Sequence, residues 1–144
     1  MKLTLEASLQ RIGQMLRERV APELQSDFIA QSARLAGGLL NICANWVDDA
    51  AELRVLENAA IRALLGEAAT VVSGEWSMRL AEAARSADPG LKISVLDAEN
   101  HRLRALLVEL HAQVETLADS NAKATDQRIW QLLEDIELKR APRE

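Results

Sequence analysis

Few side chains in this sequence could do bond-making or metal chemistry. There are two histidines, His101 and His111, one cysteine, Cys43, and 22 carboxylates set against 17 Lys and Arg. A di-iron helical bundle places a Glu three residues before each ligating His. Ala98 and Val108 occupy those places here. The histidines lie ten residues apart, nearly a quarter-turn off a common helical face, so they are poorly placed to share one ion. No HExxH, P-loop GK(S/T), GxSxG or zinc-type Cys–His spacing occurs. No metal site and no cofactor is therefore expected. Cys43 sits among Leu39, Leu40, Ile42 and Trp46, where an inert, buried thiol is expected. Two acidic groups remain, Asp48-Asp49 with Glu52 and Glu134-Asp135 with Glu137. A magnesium-dependent hydrolase of the all-helical nucleotide pyrophosphohydrolase type would use such oxygen ligands. The first group reads better as a helix cap and the second as a solvated final turn.

The most individual feature is a phrase written twice, 42 residues apart. Glu57–Glu67 and Glu99–Glu109 both read E-N-x-x-(I or L)-R-A-L-L-x-E. Asn100 lies on a leucine stripe with Arg104 one turn beyond, and Asn58 and Arg62 hold the same places relative to Ile61 and Leu65. The two helices are expected to pack as neighbours, with both Asn side chains largely buried and hydrogen-bonded. A buried Asn must satisfy its amide, and an Arg offers donors only. One reading is registry, with polar residues at a seam specifying which faces fit. The other is a small-ligand site, an anion pocket lined by Asn58, Arg62, Asn100 and Arg104.

The elements that would position these residues follow from apolar spacing. Leu5, Leu9, Ile12, Leu16 and Val20 predict an amphipathic helix over 4–20, stopped before Pro22. A second helix, capped by Ser26 or Asp27, should bury Phe28, Leu35, Leu39, Ile42 and Trp46, with Gly37-Gly38 admitting a close neighbour. Asp49 and Glu52 have capping-box spacing, which predicts a break and a third helix from about Ala50 to Val72. A shorter helix carries Trp76, Leu80 and Ala83 or Ala84, with a Glu75–Arg79 pair outside. After "SADPG", Ser94 with Asp97 predicts another capping box, opening a helix with leucines at 96, 103, 110 and 117. Ile129, Trp130, Leu133 and Ile136 mark a last segment with an Asp135–Lys139 pair outside, either separate or continuous with the one before. The tail from about residue 140 to 144 should fray.

Apolar residues make up 49% of the 144, with three Pro, six Gly and no Tyr. That composition predicts an all-α bundle of five or six helices, mostly up-and-down, as a single domain over 1–144. The charge of −5 argues against nucleic acid, which needs a basic stripe. A lone Cys fits a reducing compartment. No secretory leader is apparent in "MKLTLEASLQRIG", and no apolar run approaches the roughly 18 residues of a membrane span. A cytoplasmic protein without membrane contact is expected. Wide apolar faces with few aromatics to close a core over them point to a homodimer.

The runs "LRERVAPELQSDFIAQSARLAGGLLNICANWVD", "ENAAIRALLGEA" and "ENHRLRALLVELHAQVE" resemble an uncharacterised bacterial family of small helical proteins, over about residues 9–117. Its members are encoded beside aminoglycoside-phosphotransferase-like kinases and acyl-CoA dehydrogenases. The resemblance implies an accessory role near acyl-CoA or phosphoryl-transfer metabolism and a protein partner encoded nearby; it supplies no catalytic residues. The combined expectation is a non-catalytic, self-associating interaction or accessory protein. The alternatives are the carboxylate-dependent hydrolase and the small-ligand binder.

Overall fold

Alternating Leu, Ala and charged residues, with little to favour strands, produce an all-α structure. The computed structural model describes residues 4–141. Among them are five α-helices and no strand: α1 (Leu5–Met15), α2 (Asp27–Ala68), α3 (Glu75–Arg85), α4 (Ile93–Glu115) and α5 (Ser120–Arg140). The expected frayed tail lies partly outside the described residues; α5 itself is helical through Arg140. No helix among the described residues is long and apolar enough to cross a membrane. The chain forms two compact units, divided between Ala50 and Ala51.

In the first unit Thr4 caps α1, its hydroxyl accepting from Ala7 N. Helical winding continues beyond Met15 to Val20, the expected end, though not as regular α-helix. It widens to a π-turn at Leu16–Val20 and tightens to a 3₁₀ turn at Ala21–Glu23, where proline needs no N–H partner. The first part of α2 then meets α1 at Gly13 and Gly37. A Cβ on Gly37 would fall 2.6 Å from Gly13 O, and one on Gly13 would fall 2.7 Å from Gly37 O. Gly37 is thus the close-approach residue, while Gly38 faces open space.

That contact overturns the expected burial of α2. In the first part of α2 the buried residues are Ala30, Gly37 and Ala44, spaced by seven. Phe28, Leu35, Leu39 and Trp46 lie on the opposite side and are 82, 61, 62 and 46% exposed. At 100° per residue the small residues centre about 180° from the large ones. Backbone approach through glycine selected the small face, which leaves the large side chains outward. Cys43, expected to be buried, is exposed with them.

The predicted break at Asp49 is also absent, since α2 runs through 42 residues to Ala68. The Asp49–Glu52 spacing suits an exposed helical surface as well as a cap, and an interior Asp costs only about 0.7 kcal/mol relative to Ala. The helix ends at Ala68 rather than Val72, in turns made by Thr70 and Val71. Gly74, with φ +68°, then takes a left-handed conformation that a side chain would strain, and α3 begins. Arg79 does not serve as Glu75's partner: it reaches Glu109 at 3.2 Å and lies over the Trp76 ring.

In the second unit, the end of α2 packs with α3, α4 and α5 around one aliphatic core. Ile61, Leu65, Leu80, Leu96, Leu103, Leu110 and Ile129 are its largest fully buried apolar side chains. Three of the four heptad leucines are therefore core residues. Leu117 is not, because it falls in the turn after Glu115, exposed. The Asp119 carboxylate accepts from Ala122 N and starts α5 as a separate helix. The expected Ser94–Asp97 capping box does not form: Lys92 is the N-cap residue, and Asp97 turns to Arg54.

Candidate functional site

Both copies of the repeated phrase lie in the second unit, and they meet. Asn100 Nδ2 donates to Asn58 Oδ1 at 2.9 Å, and both side chains are buried. The helices bearing them are packing neighbours, as the shared phrase led one to expect. What the spacing did not show is the role of the Glu that opens each phrase. Arg62 Nη2 lies 2.8 Å from Glu99 Oε1, and Arg104 Nη2 lies 2.7 Å from Glu57 Oε1. Each copy therefore supplies the acceptor for the other copy's guanidinium. Antiparallel neighbours make this exchange possible: a Glu five residues before its own Arg finds the other helix's Arg opposite.

The remaining bonds complete a network that is buried at Glu57, Asn58, Arg62, Glu99 and Asn100 and half exposed at Arg102 and Arg140. Asn58 Nδ2 donates to Asp88 Oδ1 at 2.9 Å, and Asn100 Nδ2 donates also to Glu57 Oε1 at 2.8 Å. Arg62 reaches Ser86 and Asp88 as well. Arg102 donates to both oxygens of Glu99, and Arg140, from the end of α5, donates to Glu57 Oε2 at 2.6 Å. The Asp88 of the "SADPG" loop is thus a third carboxylate in the cluster, against Arg62, Arg102, Arg104 and Arg140. Arg104 is the imperfect member. Its Nε–H points at Glu57 Oε1, whereas its Nη2, close to the same oxygen, is buried with no hydrogen bond of good geometry.

Electrostatics follow from these contacts. The hydrogen bonds from Arg102, with further help from Arg62, overcome burial and hold the Glu99 carboxyl down to about 2. Burial pushes Glu57 up, but donation from Asn100, Arg104 and Arg140 outweighs it and its pKa lies below the ordinary value. The Arg54 guanidinium does the same for Asp97. Glu99 in turn raises Arg102.

The four candidate binding residues Asn58, Arg62, Asn100 and Arg104 are therefore brought together, with their hydrogen-bonding groups mostly turned on one another and on protein carboxylates. The cavity beside Glu57 and Arg140, walled by Leu53, Leu56 and Ile136, is about 60 Å³ and would hold a water or two. The groove between α3 and α4 is wider, about 520 Å³, but its Arg79 and Arg102 are held by Glu109 and Glu99. Geometry favours registry over an anion pocket. Of the acidic residues weighed for magnesium, Glu134, Asp135 and Glu137 stand exposed on α5. The group with metal-ligand spacing among the described residues is a different one, His111, Glu115 and Asp126. His101 stands apart from it, exposed on α4.

Comparison with family models, with curated proteins and with solved structures returned no match. Function must be argued from the molecule's own surfaces.

Proposed function

We propose that this protein is a helical interaction protein that works as a homodimer, joined through the large apolar face in the first part of α2. The observation that carries this reading is the exposed stripe of Phe28, Leu35, Leu39 and Trp46. Full burial of such side chains is worth about 1.5–3 kcal/mol each, and because the four are 46–82% exposed, what remains to be buried is worth roughly 4–8 kcal/mol per chain. Association costs on the order of 4–15 kcal/mol, which two copies of the stripe can offset.

A second copy fits the face for two reasons. The stripe is symmetric about position 37, with Phe28 and Trp46 nine residues to either side and Leu35 and Leu39 two. A two-fold interface needs such a self-complementary patch, which two antiparallel copies would satisfy. Among its described residues the first unit also buries only Gly13, Ala21, Ala30, Gly37 and Ala44, with no large side chain among them. Covering its outer face supplies what its interior does not. The family resemblance points to the same kind of role, an accessory protein beside acyl-CoA or phosphoryl-transfer enzymes.

Sedimentation equilibrium at micromolar concentration tests the reading. The expected mass is twice the 15.9 kDa of one chain. Leu35→Glu with Leu39→Glu should halve it while the second unit keeps its helicity. A concentration-independent single-chain mass for the unaltered protein would exclude the dimer.

A further inference from the structure

The turn between α4 and α5 brings a nitrogen and two carboxylates together outside the buried network. His111 and Glu115 are one helical turn apart on α4, hence on one face. Asp126 comes from the second turn of α5, which starts after the Asp119 cap. His111 Nε2 lies 2.8 Å from Asp126 Oδ1 and 3.6 Å from Glu115 Oε1. The three ligand atoms lie within 4.8 Å of one another. Trp130, one turn beyond Asp126, meets the imidazole edge-on at 5.3 Å between centroids and 83° between planes. The ring is thus held from a second side, with Nε2 turned to the carboxylates.

We infer that His111, Glu115 and Asp126 form a binding site for a divalent transition cation of the zinc class. Zinc binds imidazole nitrogen and carboxylate oxygen at about 2.0–2.2 Å, so tetrahedral ligand atoms stand about 3.4 Å apart. The His111–Glu115 separation already matches that spacing. The His111–Asp126 hydrogen bond must open by about 0.6 Å to admit the ion, a small side-chain movement. Magnesium and calcium prefer all-oxygen shells, whereas an imidazole ligand selects zinc, cobalt or nickel. Three protein ligands leave the fourth position to water. The ion would clip the last turns of α4 to the start of α5.

The site is independent of the dimer face and is tested separately. The full chain with Cys43→Ser, which removes an exposed thiol as a competing ligand, is titrated with zinc chloride by calorimetry. A parallel titration with cobalt chloride is followed by visible absorption. One ion per chain is expected, with cobalt bands of low coordination number. His111→Gln and Asp126→Asn should each weaken binding at least tenfold, and His101→Gln should leave it unchanged. Glu115→Gln, at an exposed position that cannot unfold the protein, should weaken binding in the same direction. Absence of a stoichiometric ion would overturn the proposal. So would binding that survives both His111→Gln and Glu115→Gln, or binding that is lost with His101→Gln.

Discussion

A carboxylate buried between two helices is destabilising until donors surround it. Glu99 has them, and its pKa near 2 against an ordinary 4.5 corresponds to about 3 kcal/mol of folding stability. Because the folded value is depressed, that contribution is complete above pH 4.5 and is lost as pH falls from there towards 2. Glu57 and Asp97 shift in the same direction and add to it. Urea unfolding at pH 6 and pH 3 should therefore show a marked loss on the acid side, and Glu99→Gln should shrink the difference between the two. At neutral pH we expect Glu99→Gln to cost about 3 kcal/mol, the low end for breaking a buried pair, since Arg62 keeps Asp88. Glu57→Gln, which leaves Arg104 and Asn100 with a weaker acceptor, should cost more than Arg140→Ala, whose side chain is half exposed. Denaturant midpoints compare the two directly. At this scale the sequence was partly legible. The Asn pair could be seen in the repeated phrase. Its acceptors were present too, as the first letter of each copy, but only an antiparallel crossing makes one copy's Glu the other's partner.

Among the elements, α2 carries the largest departure from expectation. Helical periodicity correctly separates its residues into a face of large apolar side chains and a face of small ones, yet periodicity does not say which of them a neighbour will take. Gly13 and Gly37 decide it, because backbones in contact leave no room for Phe28 or Leu35 between them. Adjacent glycines should therefore answer substitution with opposite signs. Gly38→Ala meets nothing within 4 Å and should raise stability by about 1 kcal/mol through helix propensity. Gly37→Ala drives a Cβ against Gly13 O and should lower it despite the same propensity gain. Thermal unfolding followed by circular dichroism shows both signs. Caps were legible where a short polar side chain had no better partner, as at Ser26, whose hydroxyl accepts from Ile29 N at the start of α2. They were misread where the carboxylate had a guanidinium to meet, as at Asp97, since a charge-assisted bond outweighs a cap.

For the whole molecule, the contrast between the two units has a thermodynamic consequence. The second unit closes over leucine and isoleucine, whereas the first buries alanine and glycine and shows its large side chains to water. The first should melt earlier, and if a second copy covers its face its melting temperature should rise with protein concentration. Differential scanning calorimetry over a hundredfold range of concentration measures this. A lower transition that does not move with concentration would mean that no second copy is bound there.

The all-helical class was determined by the sequence alone, because few prolines, no strand-favouring runs and apolar residues at helical spacing leave the backbone one economical way to satisfy its hydrogen bonds. So was the likeness between the phrases at Asn58 and Asn100, which is a property of letters. Tertiary structure decided which face of α2 goes inward, which carboxylate each arginine meets and how His111 comes to lie beside Asp126. Those outcomes depend on the approach of segments distant along the chain, and local periodicity carries no information about who the neighbour is.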